Sequence, residues 1–357
     1  MAQIRIQTPG RVCLYGDHQD YLGLPVIACA IDRYIYLEAN PIGSPVLEIH
    51  LPDLDKQRTI SLSDPLTVDL HDHLASGLKV LRDLGAEASQ GYHITISGNL
   101  PINAGVSSSS AVMVAWMHFL NSAYLDRSVN GQELGQLAYR AEVLEHHSPG
   151  GNMDQLTIAC GDLVFIDTQG HGKVQALRSP SIGLVLGVSG IPKSTLGTLG
   201  FNRQKAEQVI SAVRHSKPDF VLRDCTPSEV DDYLGSIPDE LEAVFRAAVG
   251  NHHLTLLATE ELERKEPSLA KLGEIMTAHH ALLRDNLGLS TDRIEEMLSA
   301  ARSTGALGGK IVGSGGGGCV ICLCKPGNED KIAEAMIMAG PRRPSELRLQ
   351  TAANCYD

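Results

Sequence analysis

The chain has 357 residues, of which 43% are hydrophobic and 20% charged, and its formal net charge at pH 7 is −12. This length exceeds one ordinary hydrophobic core, so we expect two domains, residues 1–180 and 181–357. The acidic balance argues against a protein that coats nucleic acid, although a local site can still oppose the global charge. Residues 1–10 lack the apolar stretch of a signal peptide and no long apolar run follows, which predicts a cytoplasmic protein without a membrane partner.

The cysteines are scattered along the chain and predict reduced thiols rather than a metal site. Cys319 and Cys322 form a C-x-x-C pair, but the sequence offers no second pair to complete a zinc site. We therefore expect free, buried thiols, which are common inside cytoplasmic proteins.

The N-terminal segment is predicted to begin as a strand and to continue as a polar loop. Residues 3–8 alternate like a half-buried strand, and a glycine-containing loop is expected over residues 9–23. Four side chains of this loop can bind polar groups: Arg11, Asp17, His18 and Asp20. Carboxylates and imidazole can bind several hydroxyls of a sugar, but a loop closed by local salt bridges fits the same residues.

The next stretch is predicted to be peripheral to any site. Residues 25–37 predict one or two buried strands, and residues 41–91 predict a hairpin followed by a helix over 74–84. His71 and His73 could in principle hold a metal, but no other residues with ligand spacing support that role. We expect a solvated loop there.

A serine-rich loop lies between a predicted strand and a predicted helix. Residues 92–96 alternate like a strand, and the segment from Ala111 onwards is helical in character. Between them, Gly105 permits close backbone approach and four consecutive serines, residues 107–110, fall at the helix N-terminus. Free N–H groups and the positive end of the helix dipole favour an anion there, and serine hydroxyls can bind Mg²⁺ that accompanies phosphates. A simple serine-rich helix cap remains the alternative.

An acidic helix and a short exposed loop follow. Residues 131–147 show helical periodicity and carry Glu142, and Asp154 is expected on the exposed loop 148–155. Residues 192–203 predict a polar loop and residues 204–215 a helix. Two pairs of adjacent histidines follow, at 252–253 and 279–280. Adjacent residues on a helix point in different directions and rarely bind one metal ion, so we interpret these histidines as structural.

A third glycine-rich loop precedes the last predicted strand. Residues 313–318 contain Gly313 and four consecutive glycines, and residues 320–324 are strong strand formers. Ordering such a loop costs backbone entropy, which indicates that something lies close against its backbone.

Three glycine-containing loops, over residues 9–23, 101–111 and 309–319, resemble in this order those of the GHMP family of small-molecule kinases. The segment Gly-Arg-Val-Cys-Leu-Tyr-Gly-Asp-His-Gln-Asp-Tyr at 10–21, the triplet Met-Asp-Gln at 153–155 and the pair Asn202 and Arg203 are most similar to galactokinases within that family. No Walker-type P-loop is present in the sequence. The resemblance implies an α+β fold of two domains, an N-terminal ribosomal-protein-S5-like one and a C-terminal ferredoxin-like one, with the active site in the cleft between them.

The resemblance also implies a function: transfer of a phosphoryl group from ATP, with Mg²⁺, to a small-molecule hydroxyl, most simply the anomeric hydroxyl of a monosaccharide. Asp154 would accept or orient the hydroxyl proton, and Arg11 would hold Asp154 ionised. Sugar binding would fall to Asp17, His18, Asp20, Gly151, Asn152 and Phe201. The metal would be held by Ser109 and Glu142. ATP would be held by Pro101, Asn103, Ala104, Gly105, Val106, Ser107, Ser108, Ser109, Gly313, Gly315 and Gly316.

Three departures from the galactokinase pattern leave the substrate open. Asp17 stands where glutamate is usual, Phe201 where tyrosine is usual, and Asn152 where isoleucine is usual. The alternatives are a kinase of the same family acting on a heptose phosphate, an amino sugar or a mevalonate-type alcohol, or a non-catalytic sugar sensor. An anionic substrate would need an extra cation, for which Lys193 and Arg203 are candidates. A monomer or small homo-oligomer in carbohydrate metabolism is expected.

Overall fold

The computed structural model describes residues 3–102, 104–125, 127–192, 195–339 and 347–348, and it contains two β-sheets with helices packed against them. The first sheet comprises β1 (Ile4–Tyr15), β2 (Val26–Ile42), β3 (Val46–Leu51), β4 (Lys56–Ser61), β5 (Gly91–Gly98), β6 (Leu163–Asp167) and β7 (Lys173–Ala176). Its order is β4-β3-β5-β2-β6-β7, and β1 pairs with β2. The strand pairs are antiparallel except for β3 with β5, so this hairpin-rich topology differs from a doubly wound parallel sheet.

The predicted loop 9–23 is wrong in its first half, because β1 continues to Tyr15. Arg11 pairs in register with Ala30 of β2, and the register shifts between Pro9 and Gly10. A bulge at this point absorbs a proline and a glycine that a regular ladder would not favour. Arg11 is therefore fixed on a strand rather than on a flexible loop.

The helices of the first half are α1 (His73–Asp83), α2 (Ser108–Tyr124), α3 (Gly131–Tyr139) and α4 (Met153–Cys160). Helix α2 is apolar nearly all round and lies in the core, where Trp116 and Phe119 are fully buried. The indole N–H of Trp116 donates to the carbonyl of Leu74 at 2.9 Å and ties α2 to α1. This buried helix holds the serine loop at its N-terminus in a fixed position.

The second sheet has the order β11-β8-β10-β9. Its strands are β8 (Gly183–Val188), β9 (Gly308–Val312), β10 (Cys319–Cys324) and β11 (Leu347–Arg348). Helices α5 (Thr195–Ser216), α6 (Glu242–Leu262), α7 (Leu269–Ala281), α8 (Asp292–Ser303) and α9 (Glu329–Met338) belong to the same half. One apolar core contains buried residues of both sheets, including Leu186 and Ile94. The predicted boundary at 180 falls between β7 and β8, and the division into two domains stays a prediction.

Three further details differ from the predicted elements. The helix predicted over 131–147 ends as α3 at Tyr139 and continues as a π-helical turn over Arg140–Leu144, which carries Glu142. Asp154 lies in the first turn of α4 rather than on a loop. Helix α5 begins at Thr195, within the segment predicted as a polar loop.

The described cysteines are free thiols, as predicted, and most of them are buried. Within the described ranges, no cluster of three or more His, Cys, Asp or Glu side chains has a geometry that could hold a metal ion. None of the described helices is both long and apolar enough to cross a bilayer.

Candidate active site

A cleft with a cavity volume of about 310 Å³ brings together residues of all three predicted loops. Both predicted catalytic residues line it, and so do most of the predicted substrate, ATP and metal ligands. These residues are Arg11, Asp17, His18, Asp20, Ala104, Gly105, Ser107, Ser108, Ser109, Glu142, Gly151, Asp154 and Gly313. Residues far apart in the sequence thus converge on one space.

The centre of the cleft is an ion pair between Arg11 and Asp154. The Nε and Nη2 atoms of Arg11 contact Oδ1 of Asp154 at 2.7 and 2.6 Å, and the hydroxyl of Ser107 donates to Oδ2. The guanidinium also donates through Nη1 to the carbonyl of Gly105 at 2.7 Å. Burial alone would disfavour the charged guanidinium, but the Asp154 carboxylate raises the pKa of Arg11 above its ordinary value. Asp154 is thus held by charge-assisted hydrogen bonds from two sides.

The serine loop and Glu142 also line the cleft. Ser107 adopts a left-handed conformation, with φ of 57°, and precedes the first turn of α2. Glu142 accepts a hydrogen bond from Gln155 at 2.7 Å and lies beside the hydroxyls of Ser109 and Ser110. Burial raises the pKa of Glu142. A buried carboxylate beside hydroxyl oxygens is a donor set that suits a hard divalent cation.

Asp20 and Gly151 both line the cleft and lie in close contact. A Cβ added to Gly151 would lie 2.3 Å from Oδ2 of Asp20, so only glycine permits this approach. Burial, reinforced by the nearby Asp154 charge, raises the pKa of Asp20 to about 7. The neighbouring Asn152 is buried and donates from its side chain to the carbonyl of Thr168 at 3.3 Å, so it supports the loop rather than lining the cavity.

Asp17 contacts the second half of the chain. Its carboxylate forms an ion pair with the fully buried Lys310 of β9 and accepts a hydrogen bond from the N–H of Gly313 at 2.8 Å. The local salt bridges considered as an alternative for this segment do not describe Asp17, whose partners lie in the distant β9 and the third glycine loop. The next residue, His18, places Nε2 3.1 Å from the carbonyl oxygen of Ser314.

Several predicted residues lie away from the cavity. Pro101, Val106, Gly315 and Gly316 belong to the loops but are not among the residues that line it. Phe201 is 57% exposed and its ring contacts the ammonium of Lys205, while Leu199 lines the cavity instead. Asn103 and Lys193 lie outside the described residues.

The sequence did not single out two features of the cleft. Lys310 was missed because a lysine inside a strand gives no sequence signal for a partner hundreds of residues away. His71 lies on an exposed turn, as the predicted solvated loop requires, whereas His73 begins α1. Both line the cavity and contact His146, with the rings of His73 and His146 4.6 Å apart. Burial, together with His146, lowers the pKa of His73 to about 4.

Comparisons with known proteins agree with this architecture. Residues 73–162 match the profile of the GHMP kinases N-terminal domain, residues 258–341 match the GHMP kinases C-terminal profile, and residues 2–41 match the galactokinase galactose-binding signature. The crystal structure of Lactococcus lactis galactokinase in complex with galactose superposes with a TM-score of 0.86 at 20% identity, over 99% of this chain and 95% of that one. The crystal structure of Methanococcus jannaschii mevalonate kinase gives a TM-score of 0.71 at 19% identity, over 98% and 99% of the two chains.

The relatives found by sequence are named as two different kinases, mevalonate kinase and galactokinase. A mevalonate kinase of Thermococcus gammatolerans is 28% identical over 352 residues, which cover 95% of this chain and 94% of the relative. A galactokinase of Roseiflexus sp. is 29% identical over 328 residues, which cover 89% of this chain and 82% of the relative. The predicted α+β fold and the predicted kinase class are confirmed, and the chain belongs to the GHMP family of small-molecule kinases.

Proposed function

We propose that the protein transfers the γ-phosphoryl group of ATP to the anomeric hydroxyl of a monosaccharide. The observation that carries this proposal is the Arg11–Asp154–Ser107 constellation, which faces a cavity whose walls are otherwise acidic or neutral. Phosphoryl transfer depends on positioning and charge neutralisation more than on covalent catalysis, and this arrangement supplies both.

The reaction assigns a defined task to each residue of the constellation. The sugar hydroxyl oxygen attacks the γ-phosphorus, the bond between that phosphorus and the β–γ bridging oxygen breaks, and ADP leaves with the electron pair. Asp154 orients the hydroxyl and accepts its proton. Arg11 holds the Asp154 carboxylate in place and offsets negative charge as it develops on the transferred group. Ser107 fixes the second carboxylate oxygen of Asp154.

The ATP phosphates are assigned to the backbone of the serine loop. The first-turn N–H groups of α2 and the dipole of this 17-residue helix favour an anion at Ser107, Ser108 and Ser109. Glu142 and the Ser109 hydroxyl would hold Mg²⁺, which neutralises phosphate charge when bound. The third glycine loop would cover the phosphates from the other half of the chain.

The charge of the cleft supports a neutral substrate. Among the described residues, Arg11 is the only lysine or arginine that lines the cavity. Its N–H groups already donate to Asp154 and to the carbonyl of Gly105. Asp20 and Glu142 are further acidic residues of the same cavity, whereas the Asp17 carboxylate is already paired with Lys310. A phosphorylated or carboxylated substrate would find no second lysine or arginine among the described lining residues, whereas sugar hydroxyls can donate to Asp20. The galactose-binding signature matched over residues 2–41 includes Asp17 to Asp20 and makes galactose the first sugar to test.

A mevalonate-type alcohol is the second candidate, because mevalonate kinases are among the relatives that cover most of the chain. Its carboxylate would need a cation. Arg203 is the described candidate: it reaches the carbonyl of Pro149 at 3.4 Å, next to Ser148 and Gly150 of the cleft, but it also pairs with Glu207. A sugar kinase should tolerate Arg203→Met with little change in substrate KM, whereas a mevalonate-type kinase should lose affinity for its substrate.

A coupled assay of ADP release with MgATP tests the proposal on galactose, glucose, arabinose, N-acetylgalactosamine, glucuronate, mannoheptose 7-phosphate and mevalonate. Turnover on a neutral sugar supports the proposal, and turnover confined to the anionic compounds contradicts it. Asp154→Ala should abolish turnover and retain nucleotide binding, because Asp154 acts on the acceptor hydroxyl. Near-normal turnover of that variant would remove Asp154 from the mechanism.

A further inference from the structure

Asp17 is the central contact between the polar N-terminal segment and the third glycine loop (residues 313–318). Lys310 Nζ donates both to the Asp17 carboxylate and to the carbonyl of Cys13, the latter at 3.0 Å. The N–H of Gly313, immediately beyond the end of β9, donates to the other carboxylate oxygen. One lysine and one backbone amide of the second half therefore hold a single carboxylate of the first half.

This carboxylate is poorly placed to serve as a sugar ligand. The Asp17 side chain is 1% exposed, against 27% for that of Asp154, and its carboxylate contacts the fully buried Lys310 and the N–H of Gly313. Burial alone would raise the pKa of Asp17, but Lys310 and the nearby His279 and Gly313 lower it, so the group stays charged. A sugar hydroxyl would have to compete with a buried ammonium for the same atoms.

The third glycine loop, in contrast, needs an external support. Gly313 and the four glycines 315–318 all have positive φ values, a conformation that glycine adopts freely and that is costly to order. The contacts of Asp17 with Gly313 and of His18 with Ser314 fasten the start of this loop to the segment that also carries Asp20. Lys310 also donates to the carbonyl of Cys13 on β1, so the same pair fixes the position of the loop relative to Arg11 on that strand.

We propose that Asp17 and Lys310 form a positioning pair that fixes the third glycine loop over the nucleotide, and that Asp17 does not bind the sugar. The inference rests on the proposed function for the assignment of this loop to ATP. The two acidic residues of the N-terminal segment then have different roles. Asp20 binds the sugar, whereas Asp17 supports nucleotide binding by holding the loop in position.

The test compares Asp17→Asn, Lys310→Met and Asp20→Asn in steady-state kinetics and in equilibrium binding of a non-hydrolysable ATP analogue. Asp17→Asn and Lys310→Met should raise KM and Kd for the nucleotide roughly tenfold or more and lower kcat, because small misplacements of a positioning loop are costly. Their sugar KM should stay within about threefold of wild type. Asp20→Asn should show the opposite pattern, with a raised sugar KM and an unchanged nucleotide Kd.

Two further variants separate positioning from stability. Arg223→Met removes another ion pair between distant segments, to Asp167 and the carbonyl of Gly23, and should lower thermal stability without changing nucleotide affinity. The double variant Asp17→Asn with Lys310→Met leaves no buried unpaired charge, so its melting temperature should exceed that of Lys310→Met while nucleotide affinity stays low.

A raised sugar KM with unchanged nucleotide affinity in Asp17→Asn would overturn the inference and make Asp17 a sugar ligand, with the proposed function intact. Recovery of nucleotide affinity along with stability in the double variant would also overturn it, since the pair would then be structural only. If no sugar is phosphorylated, the proposed function fails, yet the binding measurements with the ATP analogue still decide the role of the pair.

Discussion

The hydroxyl of Ser107 offers a sharp test of the proposed site, because it contacts the carboxylate of Asp154 directly. It donates to Oδ2 of Asp154, while Arg11 holds Oδ1. A hydrogen bond to a charged group contributes about 1.5–3 kcal/mol, and about 1.4 kcal/mol corresponds to a factor of ten in rate. We therefore expect Ser107→Ala and Ser107→Gly to lower kcat roughly 10- to 100-fold, and to change the KM for ATP little because the backbone N–H remains.

Stability separates the two substitutions. Ser107 has a φ of 57° and a ψ of 47°, a left-handed conformation that costs a residue other than glycine roughly 1–2 kcal/mol. Ser107→Gly should accordingly be more stable than Ser107→Ala by about 1 kcal/mol in chemical denaturation while losing as much activity. Ser216→Ala, which removes a hydroxyl donor on the surface, is the matched control. A kcat of Ser107→Gly within about twofold of wild type would refute the positioning role.

Three more predictions concern the acidic residues and the glycine of the cleft. Because burial raises the pKa of Asp20 to about 7, kcat/KM for the sugar should rise with pH through about pH 7, and Asp20→Asn should lower it and remove this rise; an unchanged profile would place the titration elsewhere. Burial raises the pKa of Glu142, so ionisation of this carboxyl at higher pH lowers the stability of the folded protein. Glu142→Gln should therefore raise the melting temperature of the metal-free protein more at about pH 8 than at about pH 5. The same variant should need more Mg²⁺ for half-maximal activity, and an unaltered Mg²⁺ requirement would exclude Glu142 as a ligand. Gly151→Ala places a Cβ 2.3 Å from Oδ2 of Asp20 and should raise the sugar KM with little effect on nucleotide binding; an unaltered sugar KM would show that Asp20 does not contact the sugar.

The sequence was sufficient to predict the elements whose pattern is local. The serine loop before an apolar helix, the strand before it and the hairpin at β3 and β4 are all present as expected. The convergence of Arg11, Asp154 and Glu142 followed from the resemblance to a family, since nothing in the spacing of these residues alone places them together.

Features that depend on distant packing could not be predicted. Asp154 lies on α4 because residues 153–160 have buried partners, although Pro149, Gly150 and Gly151 before them favour a loop. Asp17 has the expected position but different partners, because a lysine of β9 approaches it only once the two halves of the chain have packed. Phe201 lies on the exposed side of α5, a helix whose N-terminal turns lack strong apolar periodicity.

In the proposed reaction the acceptor is the anomeric hydroxyl of a neutral sugar. The most direct test incubates the protein with MgATP and an equimolar mixture of galactose and mevalonate and follows the products by ³¹P NMR. We expect a new phosphate resonance coupled to the anomeric proton of the sugar, and Asp154→Ala should fail to produce it. A phosphate resonance coupled to the methylene protons of mevalonate, with galactose unchanged, would contradict it.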